Sequence, residues 1–160
     1  MKDTKYTVAI ALKKANASDE FLVVRRPHDD KDLADSWGLP AITLLPGELP
    51  EDGAIRACRE KLGCTAKPTR FLGIMYQKRN AYDIFLMDIE MVLADGETAD
   101  VAKADTKNTA YTAQQWTSDP TVLMDSARHG SCCASIFLTD RGLLDRSEWI
   151  QSLEGSDTVG

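Results

Sequence analysis

WGLPAITLLPGELPEDGAIRACREKLGC, residues Trp37 to Cys64, is the stretch whose reading decides the fold. It reads as a strand end, a long loop and one short helix. Pro50, Glu51 and Asp52 stand where a first helical turn favours proline and carboxylates. Gly63 stands where a helix end needs positive φ. Within the helix Ala57, Glu60 and Lys61 are spaced i, i+3, i+4 and share one face. What that face can hold is the chemical question posed by the chain.

Outward from this stretch, 160 residues with 43% hydrophobic and 28% charged content suit one globular domain with a genuine core. One domain is expected over residues 1–155, with residues 156–160 as a frayed tail. A net charge of −6 argues against non-specific binding to duplex nucleic acid, which relies on basic surface. Acidity leaves a nucleotide substrate open, since local basic groups or a cation can hold phosphates. The apolar run near the N-terminus is too short for a signal-peptide core or a membrane span, so a cytoplasmic location is expected. Cys58, Cys64, Cys132 and Cys133 form no C-x-x-C pair and no zinc-like spacing, and reduced, mostly buried thiols are expected. Asn16-Ala17-Ser18 is read as a chance sequon.

Lys5 to Leu12 alternates as a half-buried strand, and Phe21 to Arg26 is a second strand with a cationic end. Arg70–Lys78 and Tyr82–Leu93 read as a hairpin around Arg79-Asn80-Ala81. Its second arm points Met87, Ile89, Met91 and Leu93 one way, and Asp88 and Glu90 the other. Ala94–Thr109 reads as a loop and Tyr111–Trp116 as a short strand. Helical pattern starts with Asp119 as cap and Pro120 at the first position. A second helical region follows Ser131 and extends to about Leu153. This order predicts a mixed α/β layer arrangement with helices able to cover each face of the sheet.

The central stretch resembles the Nudix hydrolases, whose box is written G-x5-E-x7-R-E-U-x-E-E-x-G-U, with U a bulky aliphatic. Gly63 as the final box glycine places Glu48 on the first glutamate, Arg56 on the arginine and Glu60 on the first of the E-E pair. Trp37-Gly38-Leu39-Pro40 matches the W-x-L-P that leads into the box. The resemblance implies an α/β/α sandwich with a mixed central sheet. It also implies cleavage of a pyrophosphate bond in a small nucleotide-type substrate with Mg²⁺ or Mn²⁺. The departures are Ile42 for the initial glycine, Ala41 for the glycine before it, Ala57 for the glutamate after the arginine, and Lys61 for the last glutamate. Cys58 and Cys64 replace aliphatics, a mild change.

Hydrolysing a phosphoanhydride calls for neutralised phosphate charge and activated water, usually through Mg²⁺ held by carboxylate oxygens. Three glutamates at i, i+3, i+4 would converge on one point; this chain keeps Glu60. An ammonium at Lys61 repels a cation there by on the order of a few kcal/mol at an effective dielectric of about 20. Glu48 and Glu60 are the candidate catalytic and metal-holding residues, and a backbone carbonyl near Ala41 needs no side chain. Arg25, Arg26 and Lys61 are candidates for substrate phosphate; Arg56, Gly63 and Trp37 are read as structural parts of the box. For Arg25 and Arg26, ordinary surface charge is the equal alternative.

Glu51, Asp52, Asp88, Glu90, Asp95 and Glu97 are further carboxylates, read as solvated surface. Trp37 and Trp116 are read as core tryptophans before base-stacking ones, and His28 and His129 as surface residues. Ser131-Cys132-Cys133 is a helix start, since no histidine is paired with it. Two functions follow. One is hydrolysis of a nucleoside diphosphate linked to another moiety; the other is nucleotide or ligand binding without catalysis, which Ala57 and Lys61 motivate. An interaction role through the terminal helices is a third reading, and the oligomeric state is open, a homodimer included.

Overall fold

The computed structural model describes residues 2–15, 18–30, 33–105 and 111–155. Asn16 and the expected tail 156–160 lie outside the described residues. The spine is β1 (Asp3–Lys13), which pairs in parallel with β6 (Tyr82–Leu93) from Asp3–Tyr82 to Lys13–Val92. β5 (Ala66–Lys78) closes a long antiparallel hairpin with β6. Of the two register irregularities, Pro68/Arg70 falls at a proline, which has no N–H to give to the ladder, and Phe71/Gly73 falls at a glycine.

On its other edge β1 is shared. Thr7–Ala9 pair with β4 (Ala41–Thr43), and Lys13 pairs with β2 (Phe21–Arg25), both antiparallel. β2 in turn pairs antiparallel with β3 (Trp37–Gly38) and β7 (Ala113–Thr117). The sheet is therefore mixed, and it forks along β1, where the edge passes from β4 to β2.

Helices cover both faces, so β1 is buried on both sides from Thr7 to Leu12 instead of half-buried. Val8, Ile10 and Leu12 join one core with Leu22, Val24, Ala57 and Cys58 of α1 (Pro50–Leu62). Ala9 and Ala11 join the other, with Phe21, Val23 and the side chains of α3 (Cys132–Asp140). Each Cβ along a strand points opposite to the last, so one strand feeds two cores. Phe21 and Phe137 meet in the second core with ring centroids 4.4 Å apart.

α1 lies close to the sheet because its buried stripe is built mainly of Gly53, Ala54, Ala57 and Cys58. It ends as the sequence predicts: Gly63 adopts φ 59°, its N–H bonds the Arg59 carbonyl, and the Cys64 N–H bonds the Cys58 carbonyl. Asp119 caps a 3₁₀ turn at Pro120–Leu123 that runs into α2 (Met124–Arg128). Ser131 caps α3 through the Ala134 N–H. α3 stops at Asp140, well short of the expected Leu153. Gly142 turns the chain at φ 74°, and a separate 3₁₀ turn at Arg146–Glu148 starts on its own Asp145 capping box. Among the described residues no helix is long and apolar enough to cross a membrane.

Candidate active site

The fork leaves a cavity of about 470 Å³ bounded by β4, α1, the first residues of β1 and β6, Tyr111, and the start of α3. A larger, more open hollow of about 730 Å³ lies between Leu93–Ala99 and Trp116 and contains no box residue. In the inner cavity the charged lining is Lys5, Arg26, Arg56, Lys61 and Arg79 against Glu60 and Asp105. A chain of net charge −6 thus holds a locally cationic hole.

Arg56 organises the box. Its Nε donates to Glu48 Oε2 at 2.9 Å and its Nη2 to Glu48 Oε1 at 2.9 Å, a bidentate pair. Nη2 also reaches the Thr43 carbonyl at 2.9 Å, and Nη1 reaches Glu60 Oε2 at 3.2 Å. Helix, loop and β4 are thereby tied to one guanidinium. Glu48 Oε1 accepts in addition from the Leu45 N–H at 3.0 Å. The Arg56 guanidinium beside it holds the Glu48 carboxyl below the usual carboxylate range.

Lys61 is 7% exposed and lines the cavity. Its position follows from helix geometry: it stands four residues after fully buried Ala57, on the sheet-facing stripe. Desolvation pushes the ammonium pKa down, and Glu60 partly opposes that shift. The Nζ lies 5.9 Å from the centre of the Tyr111 ring, and the Tyr111 hydroxyl accepts from the Ala41 N–H at 3.0 Å.

The sequence candidates divide accordingly. Arg26, Arg56, Glu60 and Lys61 meet at the cavity. Arg26 is anchored by Asp30 at 2.9 Å. Arg25 points elsewhere; it is exposed, and its Nε donates to the Asp35 carbonyl at 3.0 Å. Trp37 packs against the α3-side core, and Trp116 against the α1-side core under the Lys14 ammonium at 4.8 Å. His28 and His129 are exposed, bonded to Asp35 and to the Asp125 carbonyl.

Among the further carboxylates Glu51, Asp52 and Asp95 are exposed, and Glu97 caps the Thr65 N–H. Glu90 lies beside Arg70 at 3.6 Å. Asp88 overturns its reading as surface charge: it is fully buried on the α3 side of β6, and neither carboxylate oxygen has a hydrogen-bond partner. Burial, with Cys133 and Asp140 nearby, drives its pKa well up and favours the acid form.

The residues present do not fit a resident divalent cation. Both Glu48 oxygens, expected to hold it, are occupied by Arg56 and the Leu45 N–H. Ala57 offers no donor atom, and Lys61 brings a positive charge to the same helix face. Among the described residues no group of three or more His, Cys, Asp or Glu is placed to hold a metal.

Residues that sequence reasoning missed lie on other elements. Tyr82 carries the Lys5 ammonium 4.0 Å above its ring and the Arg79 guanidinium 5.5 Å from it. Asp105 joins the wall after its N–H bonds the Glu60 carbonyl at 2.7 Å. No local spacing signals these residues; only the sheet order brings them together.

The mixed sheet between α1 and α3, with the box arginine at its fork, defines a Nudix-type α/β/α sandwich. The chain belongs to the NUDIX family: the NUDIX domain matches residues 4–118. A MutT protein from Methanosarcina mazei Go1 superposes with TM-score 0.65 at 15% identity, over 88% of this chain and 95% of that one. A NUDIX hydrolase from Nitrosomonas europaea gives TM-score 0.67 at 18% identity over 88% and 89%. The ORF135 protein of E. coli gives 0.64 at 18% over 88% and 92%. At such identities these likenesses show the fold. No curated protein matches the chain. Members of the family generally use divalent cations and act on small nucleotide-type substrates.

Proposed function

We propose that the chain is a pyrophosphohydrolase acting on a nucleoside diphosphate linked to another moiety. The cation-lined cavity that opens beside Glu60 carries this reading. The diphosphate faces Arg26 and Lys61, and the linked groups extend along β1 toward Tyr82. Glu60 is the one box carboxylate with an oxygen not bonded to Arg56, so it is the group that can take a proton from an attacking water. Glu48, clamped on both oxygens, holds the loop in place and is a positioning residue.

The test is a phosphate-release assay over a panel of nucleoside diphosphate sugars and dinucleotides, with Mg²⁺, with Mn²⁺ and with chelator, alongside Glu60→Gln. Turnover that falls at least about a hundredfold in the variant supports the reading. Turnover indifferent to the substitution overturns the role of Glu60. Ala57 and Lys61 favour a second reading, binding without turnover. It predicts ligand-induced thermal stabilisation with no product on any member of the panel.

A further inference from the structure

Of the six buried residues of α1, five are small or apolar, and the sixth is Lys61. Among the described residues its ammonium has no hydrogen-bond or ion-pair partner. The charged groups that act on it are Arg56 and Arg26, which repel it, and Glu60, already shared with Arg56. The stem is buried against the sheet, while the ammonium, 5.9 Å from the Tyr111 ring, faces the cavity without a bonded counter-charge. A neutral side chain of similar length would fill the same stripe without carrying a charge into the cavity. The chain instead aims the amine into a void where cations outnumber acids.

An unpaired cation that faces a cavity is matched by an anion that enters with the ligand. We propose that Lys61, flanked by Arg26, is the built-in counter-ion of the ligand's diphosphate, so that the cavity binds pyrophosphate-type anions without a divalent cation. The positive charge that a metal-binding helix gathers from solution is here carried on the chain itself. The inference takes only the ligand class from the proposed function and does not need turnover.

The experiment is calorimetric titration of inorganic pyrophosphate into the full chain in excess EDTA. Wild type, Lys61→Gln and Lys61→Met are compared, with Lys67→Gln as an exposed control outside the cavity. Expected are saturable binding by the wild type, an at least about tenfold weaker Kd in both Lys61 variants, and no change in the control. Thermal melts of the variants should be no lower than wild type, because no hydrogen bond or ion pair is lost with the amine. Absence of saturable binding in EDTA, or an unchanged Kd in both Lys61 variants, overturns the proposal. A chain that binds in EDTA but never turns over refutes the hydrolase reading alone. A chain that turns over with Mg²⁺ but binds no pyrophosphate in EDTA refutes this one alone.

Discussion

At the residue scale, two carboxylates of opposite circumstance give opposite pH signatures. Glu48 sits in a bidentate pair with Arg56, which holds its folded pKa below the ordinary glutamate value. A depressed folded pKa contributes stability above the unfolded pKa and loses it as pH falls through the folded one. Denaturant titrations of wild type should therefore weaken progressively below about pH 4.5, and Glu48→Gln should flatten that part of the profile. Asp88 behaves the other way, because burial raises its folded pKa well above 3.8. Between the unfolded and folded pKa values the folded state holds the extra proton, so stability falls as pH rises through that window. Asp88→Asn, which has no proton to lose, should remove that fall, so its stability relative to wild type should rise between about pH 4 and pH 7. A difference between variant and wild type that does not change over that range would contradict the account of a carboxyl whose burial favours the acid. The sequence showed that Asp88 points away from Met87 and Ile89 but could not show that α3 covers that side, since burial there depends on a helix some fifty residues on.

At the element scale, α1 was the most legible part of the chain because its start and stop are written locally in Pro50 and Gly63. Gly63→Ala should cost about 1–2 kcal/mol. Two terms add there: the left-handed φ of 59°, and a Cβ 2.5 Å from the Lys103 side chain. An equilibrium urea series with an unshifted midpoint would refute it. The end of α3 was less legible, because Leu143, Leu144 and Trp149 extend the apolar pattern past Asp140. Those residues pack or lie exposed without belonging to the helix, and Gly142 with the Asp145 cap breaks it in two. The short strands β3 and β4 gave no period to read at two and three residues. Without β4 the fork in the sheet, and so the place of the cavity, is invisible from sequence.

At the scale of the whole molecule, the order of layers was readable while the walls of the site were not. Box spacing placed Arg56, Glu60 and Lys61 together on one helix, but Lys5, Arg79, Tyr82 and Tyr111 reach the same void from distant parts of the chain. Cys58 and Cys64 are buried in the α1-side core away from the cavity, so neither should react with an aromatic disulfide reagent in the native protein, and both should react in concentrated guanidinium chloride. Fast native labelling of either would place it outside the packed layers. The close seating of α1 on the sheet has a consequence for how such a site can change. A glutamate at position 61 would project into open cavity and is sterically free. A glutamate at position 57 would have to fit where Ala57 has no exposure, at an overpacking cost of about 1–3 kcal/mol or by lifting the helix. The two steps toward a carboxylate-rich helix face are thus unequal. Any lineage retracing them would have to change position 61 first and rebuild the floor beneath α1 before position 57 could follow.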